Sequence, residues 1–517
     1  MIMFAFGTGT HSDQAVSVAA KSYTNGLSGI WYQWLWLPIT PFYWIIAPIF
    51  RRFRAITTAD VFKLRYGPSV AMLFTVVGIM CLMVNIGLML KGSSAVISSS
   101  MGGWISPNYI IAATTVIFVV YGVAGGLSAA ILTDFIQGLL TIIFSFLLLP
   151  LVMNAVGGMQ GLREAMAGSE MLSLVAPAEI GFFYITVIAL NALIGCAAQP
   201  HVMGICAAGK TEMEGRVGYM FGNLIKRFCT IPWCLTGLAA VVYFSGRDID
   251  PDNVFGAVAG EFLPKIMPGI LGVFLAAILA SIMSSCDAFM IASSALFTQN
   301  VYKPLTPNKS EKHYLLIGRF VAFAVVAGGV SFAYWLPSVV KGLEIFWMIS
   351  PMMGIAFWLG LFWRRTTTAG AWAATLASLV TWWLTTKTFF ISFMANFPAR
   401  FVIERSTGQE IYLPWKMIFY LGAGLTAGIL VSLLTKPEDE ERLDKYYELI
   451  RTPVVPGEKI PAPCVLPKDA VVPPKRNIFP NTNLEIPVPT LTSVIGFLVG
   501  WAFVAVIIAI VYSITKM

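Results

Sequence analysis

Apolar stretches about 20 residues long recur from one end of this chain to the other, and each is long enough to cross a bilayer as a helix. No feature of the 517 residues constrains the fold more. A membrane-spanning segment must satisfy every backbone amide and carbonyl internally, which leaves helices and closed barrels. A barrel would show alternation over roughly ten-residue segments, and none is present. The chain therefore reads as an all-α polytopic membrane protein with about thirteen spans. They are placed near 2–22, 28–50, 69–98, 107–124, 127–153, 179–205, 216–244, 266–299, 315–336, 342–363, 368–390, 413–434 and 491–514.

Charge is scarce, 12% against 57% hydrophobic residues, where a soluble domain carries about 25%. The net charge of +8 is what basic loops on one membrane face produce, and it implies no nucleic-acid partner. Arg51, Arg52, Arg54, Lys63 and Arg65 follow the second span, Lys210 and Arg216 the sixth, Lys303, Lys309 and Lys312 the eighth, and Arg364 and Arg365 the tenth. This basic set is expected to face the cytoplasm of a plasma (inner) membrane. The first span then runs outward and the C-terminus lies outside. Segment 436–490 differs from all that precedes it. Lys436 to Arg451 is charged and fits a short surface helix; the rest is Pro-rich and reads as a cytoplasmic tether. Met1 falls directly into an apolar helix, without the flanks of a cleaved signal. Six of the seven cysteines lie in apolar segments as small buried hydrophobes, and the three histidines have no zinc spacing.

Transporters place ion and solute sites where membrane helices are interrupted, because backbone groups become free there. The first span contains Gly7-Thr8-Gly9-Thr10-His11-Ser12-Asp13-Gln14, and the sixth contains Gly195 and Gln199-Pro200-His201. Pro200 removes an amide and kinks its helix. Spans one and six are equivalent positions in a five-plus-five repeat, although Gly and Pro are also tolerated in ordinary membrane helices. In the eighth span Ser281, Ser284 and Ser285 share one helical face. Their oxygens suit a hard monovalent cation, while serine also serves as glue between helices. Asp134 and Asp287 are stronger signals, because an intramembrane carboxylate costs at least about 2.5 kcal/mol unless paired or wet. Lys226 and Lys91 raise the same question; Lys91 can snorkel or pair.

At these residues the chain resembles the sodium/solute symporter family, which includes sodium–glucose and sodium–proline cotransporters. Gly125-Gly126-Leu127-Ser128-Ala129 and Thr133-Asp134-Phe135-Ile136-Gln137 are similar to its GGLSA and TDxIQ signature. Ala276-Ala277-Ile278, Ser284-Ser285, Phe297-Thr298 and Val301-Tyr302-Lys303 resemble its eighth helix. Ser350-Pro351 and Leu359-Gly360-Leu361-Phe362-Trp363-Arg364-Arg365 resemble the end of its tenth, and Gln199-Pro200-His201 its proline branch.

The resemblance implies an inverted five-plus-five, leucine-transporter-type core working by alternating access. Residues 1–155 would form the first repeat and 175–365 the second. Two accessory helices at 366–435, the linker 436–490 and a last helix at 491–517 would follow. It implies sodium as the coupling ion, held by the carbonyls of Gly7, Thr10 and Ser281 and the hydroxyls of Ser284 and Ser285. Some members bind a second sodium with the Asp of TDxIQ, here Asp134. Asp287 and Ala288 stand where serines would complete that site, so it is altered or Asp287 titrates a proton. The solute would lie near Gln14, Gln33, Trp36, Gln199, His201, Lys226 and Trp347. Gln33, Trp36, Leu343 and Ala198 replace polar contacts of the sugar branch, which argues against a hexose. His201 and Lys226 favour a carboxylate-bearing solute. The family also has a further span before this first core helix and a longer inner half of it. Here the inner half is about six residues, roughly 9 Å. It is expected to seal the inner vestibule poorly, and the upstream sequence to encode another apolar span in frame. Three rivals remain in view: a proton-coupled carrier using Asp134 and Asp287, a solute sensor without flux, and a membrane enzyme, for which no nucleophile–base constellation is found.

Overall fold

The computed structural model describes all residues except 8–9, 177–178, 208, 398–399, 406–407, 459 and 517, and leaves the side chains of 4, 121–137, 207 and 405 undescribed. Eight described helices are long and apolar enough to cross a membrane, nine when the bent pair at the sixth span is taken as one. Most lie where hydropathy places them: Pro68–Ser100, Glu212–Tyr243, Ile270–Leu305, Glu311–Trp335, Val339–Phe362, Leu413–Leu434 and Leu491–Lys516. Hydropathy is a local sum, so register along the chain survives whatever the helices later pack against.

Four elements differ from expectation. The stretch at 28–50 is not one helix. A 3₁₀ turn at Gly26–Ile30 and a single turn at Trp31–Trp34 precede the helix Thr40–Arg52. Pro38, lacking an amide, lies in the unwound stretch between them. Residues 107–124 and 127–153 were expected as two spans, yet Pro107–Ala155 runs as one 49-residue helix. At 1.5 Å per residue that is about 73 Å, the length of two spans. Gly125-Gly126 lowers helix propensity without removing a hydrogen-bond donor, which only proline does. The eleventh span stops at Leu384, and a second short helix, Thr388–Ala395, follows. A hairpin pairing Val402–Arg405 with Gly408–Ile411 then leads into Leu413–Leu434.

Helix Glu212–Tyr243 forms the centre of the bundle and packs against Ser12–Asn25, Thr40–Arg52 and Ile2–Gly7. Glycines permit the closest approaches. A β-carbon on Gly237 would lie 2.4 Å from the carbonyl oxygen of Ala19, and one on Gly92 would lie 2.7 Å from the α-carbon of Asp13. Those two contacts hold the second half of the first span against its neighbours.

The charged segment after Leu434 forms the helix Glu440–Arg451, and the Pro-rich chain beyond it is clamped across the helix ends that carry the basic residues. Arg52 pairs with Glu212 at 2.8 Å and also donates to the carbonyl of Ile450. Buried Arg54 pairs with Glu458 and donates to the carbonyls of Thr452 and Pro453. Arg65 donates to the carbonyls of Gly360, Trp363 and Thr366. Arg364 meets Glu440, Asp444 and Glu485.

The Arg54 guanidinium holds the Glu458 carboxyl below the ordinary glutamate range. A carboxylate depressed in the folded state stabilises it above the unfolded value of about 4.3, and that stability is lost as pH falls through the lower folded value. The difference in thermal midpoint between wild type and Glu458→Gln is therefore expected to be full at pH 7 and to close below about pH 4. A difference constant across that window would mean that the ion pair does not hold the strap.

Candidate ion and solute site

The first span is broken between Ile2–Gly7 and Ser12–Asn25. Gly7 ends the first half, and its carbonyl accepts the Thr10 amide at 3.1 Å. The Thr10 hydroxyl donates back to the carbonyl of Phe6. The sixth span is bent by 68° between Phe182–Cys196 and Pro200–Cys206. With no amide on Pro200, the chain turns through Ala197-Ala198-Gln199, where the Ala198 amide reaches Gly195 at 3.1 Å. The unwound 35–39 stretch of the second span is a third break, which the sequence reading did not anticipate.

Span eight lies beside the first break. The Ser281 hydroxyl donates to the carbonyl of Thr10 at 3.4 Å. Ser284 and Ser285 are buried on the same helical face, and the Ser285 hydroxyl has no hydrogen-bond partner among the described residues. Of the five expected sodium ligands the structure thus joins Thr10 to Ser281 directly. It puts Gly7 one short turn away and leaves one serine oxygen of the helix unsatisfied. Small hydroxyls and backbone carbonyls are the donor set a hard monovalent cation takes. Asp287 is 2% exposed and one of its carboxylate oxygens lacks a partner, so it faces neither bulk water nor lipid. Asp134 falls among residues whose side chains lie outside the description.

A cavity of about 680 Å³, counting space open to solvent, lies between the breaks. Gln14, Gln33, Trp36, Gln199, His201 and Lys226 all line it, so six residues from four separated segments converge. Trp347 does not. Its ring lies 5.1 Å from that of Tyr32, and it borders a neighbouring cleft that shares Trp36 and Gln199.

Sequence reasoning missed several lining residues: His11, Asp13, Asn85 and Arg227. His11 and Asp13 lie 3.6 Å apart, and Phe289 of span eight packs edge-on to His11 and tilted against His201. His11 and Asp13 stand inside the polar run that marked the break, a signal that could have included them. Arg227 follows Lys226 directly, but nothing in sequence separates a lining arginine from one paired elsewhere.

The Sodium:solute symporter family model matches residues 1–378. The sodium/glucose cotransporter of Vibrio parahaemolyticus is 25% identical over 71% of this chain and 73% of its own. The osmoregulated proline transporter of Bacillus subtilis is 27% identical over 81% of this chain and 84% of its own. The chain spans 62% of the length of sodium/glucose cotransporter 4 from Danio rerio, at 23% identity. Among solved structures, a substrate-bound, outward-open Na⁺-coupled sialic acid symporter aligns with a TM-score of 0.65 at 19% identity, covering 85% of this chain and 90% of that one. A nucleobase-cation-symport-1 family transporter in a closed conformation aligns at 0.52 and 12%, covering 86% and 95%. At such identities the likeness concerns fold alone, and the fold is the leucine-transporter type that the family resemblance implied. With the family model covering nearly three quarters of its length, this multi-pass membrane chain belongs to the sodium:solute symporter family, and its coupling ion is sodium.

Proposed function

We propose that the chain imports a small carboxylate-bearing solute with sodium by alternating access, with 1–155 and 175–365 as its two repeats. The observation that carries this reading is adjacency along one broken helix. Thr10 meets the serine face of span eight, and His11, Asp13 and Gln14, immediately after it, line the solute cavity. A cation bound between Thr10 and Ser281, Ser284 and Ser285 would order the break. That would fix the Gln14 side chain for the solute, and binding that removes disorder for a second ligand is positive coupling. The same face of the bundle gathers Arg52, Arg54, Arg65 and Arg364 with segment 440–488, which supports a cytoplasmic side for that face and for the linker, and an outside C-terminus.

The test is uptake into proteoliposomes of solutes first found by a thermal-shift screen with and without sodium. Replacing sodium by choline at fixed pH is expected to abolish concentrative uptake. Uptake that persists in choline and follows a proton gradient would establish the proton-coupled alternative through Asp134 and Asp287. Solute binding without any flux would establish the sensor. Asp287 is buried, with one carboxylate oxygen lacking a partner among the described residues, and lies on the same helix as the three serines. Asp287→Asn is expected to move the sodium half-saturation or the pH profile of uptake by about tenfold, one pH unit in the latter case. If both profiles superimpose on wild type, Asp287 lies outside the coupling machinery.

A further inference from the structure

Helix Glu212–Tyr243 brings two adjacent cations, Lys226 and Arg227, to the cavity. Tyr219 and Asn223 precede Arg227 by two turns and one turn on the same helical face, and both line the cavity too. Arg227 is 3% exposed. Its Nη1 donates to the main-chain carbonyl of Gln33 at 2.6 Å and to the Gln33 side-chain oxygen at 3.1 Å. Its own carbonyl accepts the Trp34 indole N–H at 2.9 Å. Two bonds from one nitrogen fix the plane of the guanidinium against the unwound part of the second span. Its Nε is left buried with no hydrogen-bond partner among the described residues.

A guanidinium does not shed its proton in a protein, so burial cannot be relieved by neutralisation. It needs an anion or a full set of acceptors, and a buried donor left unpaired is costly. Among the described residues that line the cavity, Asp13 is the one carboxylate, set against Lys226 and Arg227. The lining therefore carries one formal positive charge more than it balances. Gln33 supplies acceptors to Nη1 only. The edge bearing Nε has the donor geometry that matches a carboxylate.

We infer that Arg227 anchors the carboxylate of the transported solute, with Gln33 as the positioning residue that holds the guanidinium in the cavity. This rests on the reading of the cavity as the solute site. It names the substrate class as small organic monoanions. The Gln33 carbonyl, at the edge of the break in the second span, accepts from Arg227 as well as from the Trp36 amide. A neutral amide of the same shape would carry no charge to balance Lys226 and Arg227 and would turn its N–H groups toward their donors, so the site discriminates by charge and not by size.

The test uses purified full-length protein and matched probes: lactate, nicotinate and 4-hydroxybenzoate, and their primary amides, each titrated by thermal shift in sodium and in choline. At least one carboxylate is expected to stabilise the protein in sodium, and no amide. Arg227→Gln is expected to weaken that carboxylate on the order of tenfold to a hundredfold, with the shift produced by sodium alone unchanged. Retention of the sodium shift reports that the variant is folded. Should Arg227→Gln fail to fold, Arg227→Lys keeps the charge and loses the fork, and a loss of about tenfold in carboxylate affinity is expected there. Equal stabilisation by amides, no stabilisation by any of the carboxylates, or wild-type affinity in the folded variants overturns the inference. Absence of any sodium shift in the wild type would instead count against the symporter reading itself.

Discussion

Ser284→Ala and Ser285→Ala are each expected to raise the sodium concentration for half-maximal uptake by about tenfold. A hydrogen-bond-strength contact to a charged group contributes about 1.5 kcal/mol or more, and about 1.4 kcal/mol is a factor of ten in affinity. Both residues are buried, and the Ser285 oxygen has no other partner among the described residues, so each truncation removes a candidate ligand while leaving packing almost intact. Ser281→Ala provides the internal contrast. The ligand expected from Ser281 is its carbonyl, which alanine retains, so the effect there should be smaller than at the other two positions. Sodium titration of uptake at saturating solute reads all three variants. Unchanged half-saturation in both Ser284→Ala and Ser285→Ala would remove the ion from this helix face, and an effect confined to Ser281→Ala would mean that the hydroxyl bond to Thr10 matters more than coordination.

Arg54→Ala is expected to destabilise the folded chain by about 3–5 kcal/mol, the range for breaking a buried ion pair by removing one partner. Arg54 is 3% exposed and adopts a left-handed backbone conformation, φ 50°, which costs a non-glycine residue about 1 kcal/mol. What holds it there is its guanidinium, which donates to the carbonyls of Arg52, Thr452 and Pro453 and pairs with Glu458. Truncation leaves a part-buried carboxylate and several carbonyls without donors, and frees the strap from the end of helix Thr40–Arg52. Arg54→Lys cannot span all these acceptors and should recover less than half of the loss. Thermal unfolding in detergent, with limited proteolysis of the 452–464 segment, measures both effects. A loss under about 1 kcal/mol, the range of exposed surface pairs, would show that the strap is loosely held.

Much of the scaffold was legible in the chain alone, for physical reasons that differ by element. Membrane class and span register follow from hydropathy, which adds up over twenty consecutive residues and needs no partner. The bend at Gln199-Pro200-His201 was readable because proline removes an amide wherever it stands in a helix. The polar run from Gly7 to Gln14 was readable because lipid offers its backbone and side chains nothing. The solute set came from the family resemblance, position by position, and Gln14, Gln33, Trp36, Gln199, His201 and Lys226 of that set line one cavity.

What only tertiary structure decided are features built from residues far apart in sequence. The unwound stretch 35–39 of the second span is met at its edge by Arg227, nearly two hundred positions later, which donates to the Gln33 carbonyl. Tyr32, more than three hundred positions earlier in the chain, packs its ring against Trp347 beside the cleft next to the cavity. The Pro-rich segment read as a plain tether became a clamp because Glu458 and Glu485 found arginines at the ends of helices four hundred and one hundred and twenty positions away. A single chain states which groups are buried and charged, since burial in lipid is a property of the local segment. It does not state which of them meet, because a buried charge can be balanced by any counter-charge the fold brings near, and that choice is made only when the helices pack.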